Sequence, residues 1–358
     1  MRKLASIQTI SALYPINGKD RIVLAQINGW QVIVQKADYK IGDKCIFCEI
    51  DSVLPPKEEF EFLRSGNYRI KTMKMGGVIS QGICFPLSLL PNGEYRVDED
   101  VTELMGITQY NSTMDKESDV TIDNTSKKYP KFLMKYKWLR KLVLPKKHTK
   151  EFPSFISKTD ETRIENTLFY LQNKEPFVAT EKIDGQSGTF ALQRIKGKHK
   201  WNKDKYDFIV CSRNLRKFKE DNSSFWTVAK QYKIQEVLSD LIKDNEWVAI
   251  QGECVGNGIQ GNKYHVGNYD LYVFNLIYPS GRVDSVKAKE VMESYGLKFV
   301  PIIDDNYILP NTLKELRKFT HGKSKLYDTL REGIVFRSKD GKQSFKCVDP
   351  EFLLKNGE

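Results

Sequence analysis

The sequence predicts an α+β protein in two parts, an N-terminal OB-type β-barrel followed by a larger domain of strands and helices. Three observations carry this. The first hundred residues are short strands broken by turn dipeptides. Residues 109–128 are rich in Asn, Ser, Thr and Asp, without a hydrophobic period, and separate two patterned halves. Beyond them, apolar strand-like runs alternate with segments of helical spacing. A chain of 358 residues has room for about two cores. The boundaries fall at 1–108 for the barrel, 109–130 for a linker and 131–358 for the second domain.

The totals narrow the class of function. Hydrophobic residues are 40% and aromatics 11%, which fits packed cores rather than disorder. A net charge of +11 and a pI near 9.1 favour a polyanionic partner such as nucleic acid. Of the six cysteines only Cys45 and Cys48 have metal-ligand spacing, and no second pair or nearby histidines follow. They sit in an apolar run and read as reduced core thiols, which implies an intracellular protein of cytoplasm or nucleus. No signal-peptide pattern opens the chain and no run of about twenty apolar residues occurs, so no membrane role is expected.

In order, residues 4–10 alternate loosely and Asn17-Gly18 marks a turn. Residues 21–27 and 30–35 flank Asn28-Gly29, a hairpin signal because both residues accept left-handed turn conformations. Residues 45–51 form a strand closed by Leu54-Pro55-Pro56, and 68–73 and 78–85 flank Gly76-Gly77. Five or six strands of this length suit an OB-type barrel, for which Arg64, Tyr68, Arg69, Lys71 and Lys74 are candidates for a nucleic-acid face. Residues 131–150 carry eight Lys or Arg and no acid, interleaved with apolar side chains. Packing on the barrel with the lysines in water is preferred there over backbone binding.

The second domain opens with residues 158–164, where Thr159 or Asp160 suits a helix cap and Arg163 offers a planar fork for phosphates. Residues 177–183 read as a strand, Asp184-Gly185 turns the chain, and Lys182 sits at the strand's end, a rigid place for a nucleophile. A nucleophilic lysine must be neutral, so a nearby divalent cation and positive groups are expected to lower its pKa. Ser212-Arg213-Asn214 ends a strand and is followed by Arg216 and Lys217. An apolar strand ends in Gly252-Glu253, another presents Phe274, a third opens with Glu332, and a fourth carries Lys346. Acids and lysines at the ends of buried strands need partners, so these segments point to a shared charged site. Helical spacing at 225–243, 285–295 and 311–320 predicts core-packing helices. His148, His199, His265 and His321 have no partners at metal spacing and are expected to be bystanders.

The order of these segments is specific. Lys-x-Asp-Gly at 182–185, Ser-Arg-Asn at 212–214, Gly-Glu at 252–253, the aromatic strand at 270–275, Glu-Gly-Ile-Val-x-Arg at 332–337 and Ser-Phe-Lys at 344–346 together resemble the covalent nucleotidyltransferases. These include DNA ligases, RNA ligases and mRNA capping enzymes. Within them the chain is most similar to the RNA-ligase-2-like group, and Lys-Thr-Asp-Glu-x-Arg-Ile at 158–164 is similar to that group too. The barrel, with Gly29-Trp30-Gln31-Val32 and Glu49-Ile50-Asp51-Ser52, looks like that of the Naegleria- and Deinococcus-type RNA ligases, whose OB domain comes first.

The resemblance implies an adenylyltransferase (ATP-grasp-like ligase) domain of antiparallel sheets with flanking helices. It implies an ATP-dependent RNA ligase that joins 3′-OH and 5′-phosphate ends in RNA repair, through a lysyl-AMP and an adenylylated 5′ end. Lys182 and Lys346 would be catalytic. Arg163, Glu181, Lys182, Glu253, Phe274 and Lys346 would bind ATP or AMP, with Phe274 stacked on adenine. Asp184, Glu253 and Glu332 would place Mg²⁺, with Mn²⁺ as a substitute, directly or through its waters. Ser212, Arg213, Asn214, Arg216 and Lys217 would contact RNA, expected as a nicked duplex bound by a monomer.

One departure stands out: the last motif often carries two lysines at alternate positions, where this chain has Ser344 and Lys346. With 12 residues after Lys346, the C-terminal OB domain of capping enzymes and most ATP-dependent DNA ligases is not expected. The alternatives are a sister enzyme, an ATP-dependent DNA ligase or guanylyltransferase, and a non-catalytic nucleic-acid-binding OB protein.

Overall fold

A computed structural model describes residues 3–110, 151–197, 203–217 and 223–357. Most of the predicted linker, the basic stretch at 131–150, His148 and His199 lie outside the described residues. Among the described residues no helix is long and apolar enough to cross a membrane.

Asn28-Gly29 turns the hairpin between strands Lys19–Ile27 and Trp30–Gln35, with Asn28 at φ 50°. Ala12–Ile16 adds a third strand. A second three-stranded sheet orders Ala5–Thr9, Lys44–Cys48 and Ile83–Phe85, in register Ala5↔Cys48 and Cys48↔Ile83. Gly76-Gly77 turns the hairpin Thr72–Met75 to Val78–Gln81. Thr108–Gln109 pairs with Ser52–Val53, so this domain extends just past residue 108. The sheets surround one core, because alternate residues point inward: Trp30, Val32 and Val34 are buried on one strand. Cys45 and Cys48 are free thiols in that core. The C-terminal helix Pro350–Asn356 sends Phe352 and Leu353 into the same core.

The second domain has two sheets, antiparallel apart from one short strand. The smaller orders Ile302–Tyr307, Phe177–Lys182, Gly333–Ser338 and Ser344–Val348. The larger orders Arg216–Lys217, Lys205–Cys211, Gln186–Ile195, Trp247–Val255, Asp270–Tyr278 and Gly281–Arg282, with Lys298–Phe299 pairing parallel to Asp270–Tyr278. Helices Ser224–Gln231, Ile234–Ile242 and Ser285–Ser294 bury their apolar faces on the larger sheet, and Leu313–Thr320 packs on the smaller. The predicted helical stretch 225–243 breaks at Lys233, which sits at φ 49°. Residues 183–185 carry the chain from the smaller sheet to the larger, so Lys182 lies where they meet.

The barrel docks through residues of its two sequence motifs. The Gly29 N–H donates to the Glu165 carbonyl at 3.0 Å. A Cβ on Gly29 would stand 2.5 Å from the Glu165 Cα, so only glycine permits this approach. Trp30 Nε1 donates to Asn166 Oδ1 at 2.6 Å, and Asn166 Nδ2 donates to Glu49 Oε1 at 2.6 Å.

Candidate active site

A cleft of about 520 Å³ opens between the two sheets and the barrel. Lys182 stands at its floor because of the turn that follows. A Cβ on Gly185 would lie 2.4 Å from the Cys254 carbonyl oxygen and 2.9 Å from Glu253 Cγ. Glycine therefore lets the turn lie against Trp247–Val255 and sets Lys182 beside Glu253. Lys182 Nζ donates to Glu332 Oε2 at 2.6 Å. Asp184 pairs with Lys263, and its N–H donates to Tyr264 Oη at 2.8 Å.

Electrostatics follow from that crowd. Burial pulls the Lys182 pKa down, but Glu332, Glu253 and Asp184 together hold it above the ordinary lysine value. The expected lowering is therefore not supplied by the protein's own groups; they keep the ammonium charged. Glu253 is pushed up to about 8, chiefly by burial and then by Glu332 and Asp184, against the pull of Lys182. Among the described residues no hydrogen bond holds its carboxylate.

Three carboxylates around one cleft are hard oxygen donors of the kind Mg²⁺ and Mn²⁺ take. Among the described residues no three acid, His or Cys side chains stand as a ready cage. The donor set thus fits a hydrated divalent ion, met in part through its waters, as Mg²⁺ commonly is.

The cationic wall comes from two strands side by side. Lys346 N donates to the Thr162 carbonyl at 2.8 Å, and Arg163 bridges in parallel to Lys346. Thr159 and Asp160 therefore cap no helix: the run 159–163 passes Ser344–Val348 instead, and the first short 3₁₀ turn is Ile164–Asn166. Asp160 takes Lys346 Nζ at 3.3 Å and Arg213 Nη2 at 2.8 Å. The Arg163 side chain is 7% exposed, and its Nε and Nη1 are buried without partners among the described residues.

Phe274 reaches the cleft through a β-bulge. Gln251 faces Asn275 while Gly252 faces Val273, which leaves Phe274 as the extra residue and turns its ring. Arg337 lies 5.6 Å over that ring, donates to Thr180 Oγ1 at 3.0 Å and pairs with Glu161 at 3.4 Å. Burial lowers its pKa to about 10.

Lys182, Lys346, Arg163, Glu181, Glu253, Phe274, Asp184, Glu332, Ser212 and Arg213 all border this cleft. Glu181 differs from expectation. Its carboxylate accepts from Ser324 Oγ at 2.5 Å and from the Lys325 N–H at 2.8 Å, so it anchors a neighbouring loop rather than presenting an acid to a nucleotide. Asn214, Arg216 and Lys217 do not line the cleft. Arg216 is held by Asp207 at 2.7 and 3.1 Å, and Asn214 accepts from Lys158 at 3.2 Å.

Of the barrel candidates, Arg69 and Lys71 border the cleft. Arg64 and Tyr68 turn to Glu61, and Lys74 to Glu351. Sequence reasoning gave no site role to Lys263, Tyr264, Asp160 or Asp51, which come from loops or from a distant domain; Asp160 and Asp51 lay in noted motifs, the other two did not.

An OB-fold domain pattern matches residues 4–87, and the RNA ligase family pattern matches residues 175–354. No curated protein matches. Among solved structures the chain is similar to Naegleria gruberi RNA ligase with PPi, at 27% identity over 99% of both chains and a TM-score of 0.78. It is equally similar to a variant of that enzyme with ATP and Mn, at 27% identity over 100% of both chains and a TM-score of 0.78. With the RNA ligase pattern spanning half of its length and the strand-end lysine set among carboxylates and cations, this chain belongs to the RNA ligase family.

Proposed function

We propose that the protein is an ATP-dependent RNA ligase that seals 3′-OH to 5′-phosphate RNA ends, with Lys182 as its covalent nucleophile. The observation that carries this is the meeting in one cleft of a strand-end lysine, three carboxylates and the cations Lys346 and Arg163. The Naegleria gruberi structures with ATP, AMP, PPi and Mn support the choice of nucleotide.

Three displacements at phosphorus follow. Lys182 Nζ gives up a proton, for which Glu332 Oε2 at 2.6 Å is the acceptor in reach. The amine then bonds to the α-phosphorus of ATP, and the bond to pyrophosphate breaks. A 5′-phosphate oxygen of the RNA next displaces Lys182, which takes back a proton. Finally a 3′-OH attacks the adenylylated end and AMP leaves. Transfer of this kind depends mostly on positioning and charge neutralisation. Lys346 and Arg163 carry positive charge along the phosphates, Phe274 stacks on adenine, and Ser212 and Arg213 flank the entry of the RNA end. Asp184, Glu253 and Glu332 would hold Mg²⁺ or Mn²⁺, which supplies positive charge to the phosphates and competes for the carboxylates that keep Lys182 protonated.

The test is a sealing assay on a nicked duplex with a labelled 5′-phosphate. Sealing is expected with ATP and an RNA 3′-OH strand. Activity with GTP alone, or only with a DNA 3′-OH strand, would move the protein to a sister enzyme.

A further inference from the structure

The barrel motif Glu49-Ile50-Asp51-Ser52 takes no part in the reaction as described, yet Asp51 borders the cleft. It stands at φ 67°, a left-handed conformation uncommon outside glycine and asparagine-like residues. One carboxylate oxygen accepts from Arg69 Nη2 of the barrel at 2.7 Å. The other lies 3.8 Å from Arg163 Nη2 of the catalytic domain. Each guanidinium is also braced by a ring: Arg69 lies 3.7 Å over Tyr110, and Arg163 lies 5.7 Å from the centre of Trp30.

We propose that Asp51 is a positioning residue that holds Arg163 and Arg69 side by side, so that the cationic wall facing the nucleotide phosphates is complete only when the barrel is docked. Three observations meet here. Two like charges set together in a partly buried wall repel unless an anion lies between them. Among the described residues the Arg163 Nε and Nη1 donors are buried without partners, so Asp51 fixes the group from one end while leaving donors for another anion. The Gly29–Glu165 and Trp30–Asn166 contacts fix the barrel within a few residues of Arg163. The inference rests on the reading of Lys182 as nucleophile and of Arg163 as a phosphate contact.

The experiment is the rate of Lys182 adenylylation by α-labelled ATP over a range of ATP concentrations, in the full chain. Asp51→Asn keeps the shape and suits the left-handed backbone, but drops the charge. Asp51→Gly, which φ 67° also suits, is the second variant if the first does not melt cooperatively. A misplaced phosphate contact costs up to about 100-fold. The expected result is a loss of about 10-fold or more in labelling at subsaturating ATP. Asp51→Glu is expected to restore most of it. The double variant Asp51→Asn, Arg163→Ala is expected to lose less than the product of the two single losses, because Asp51 acts in part through Arg163. Wild-type kinetics in Asp51→Asn or Asp51→Gly would overturn the inference, as would two losses that multiply. Failure of the wild-type chain to label would instead overturn the reading beneath it.

Discussion

The barrel and the catalytic domain are built from similar short antiparallel strands, yet they bury charge very differently. Among the described residues the barrel buries one formally charged side chain, Glu49, and that one faces Asn166 of the other domain. The catalytic domain buries Arg163, Glu165, Glu181, Asp184, Asp270, Arg331, Glu332, Arg337 and Asp349. Burying an ion costs several kcal/mol unless it is matched. The barrel avoids that cost wherever it has no contact to make, while the catalytic domain accepts it, with Arg163, Glu181, Asp184, Glu332 and Arg337 around the cleft and Glu165 at the joint. Most of the buried charge thus gathers where the molecule does chemistry and where its domains join, while Asp270 and Asp349 are matched within the catalytic domain by Lys298 and His321.

The sharpest way to break this comparison is to remove one ion of the buried set. Arg337→Met leaves Glu161 without the nearer of its two arginine partners, and breaking a buried pair costs about 3–5 kcal/mol. A denaturant melt should show that loss, and an unchanged midpoint would mean that the buried network carries little of the fold. Lys346→Ala should leave the melt nearly unchanged but slow lysine adenylylation by about 10²–10³, the usual loss for a cation at the transition state. Near-normal labelling of that variant would remove Lys346 from the reaction.

Glu253 sharpens the comparison by pH. Its folded pKa is raised from 4.5 to about 8, so the folded state keeps a proton that the unfolded chain has already released. Stability of the metal-free protein is then greatest below about 4.5 as far as this group is concerned, and falls as pH rises toward 8. Glu253→Gln should flatten the fall in melting temperature between those limits, and added Mg²⁺ should oppose it in the wild type. A slope that Glu253→Gln leaves intact would place the titration elsewhere. The smallest effect is expected at the joint. Trp30→Phe removes the 2.6 Å hydrogen bond to Asn166 and puts a smaller ring in a fully buried site, for a cost of about 1–3 kcal/mol in the melt.

Much of this was legible in the sequence because it is local. Asn28-Gly29 and Gly76-Gly77 set their hairpins, and the acids and lysines at strand ends all reached one cleft except for the run after Arg213. What stayed hidden depends on contacts far apart in the chain. Lys263 meets Asp184, and Asp51 meets Arg163, through loops and domain docking that no spacing encodes. Asp160 looked like a helix cap because its residue type is right, but the neighbouring strand edge offered the backbone a better partner. The partners of Glu181, Ser324 and Lys325, lie more than 140 positions away and left no local mark either. The bulge at Phe274 leaves no such mark, as the extra residue is defined only by the pairing with Gln251 and Gly252.

The most direct test is to mix the purified chain with a divalent cation and ATP labelled at the α-phosphate, then to separate the products on a denaturing gel. The account predicts label on the wild-type chain, none on Lys182→Met, and loss of the label when pyrophosphate is added back. Label that persists on Lys182→Met, or no label with any nucleotide, would contradict it.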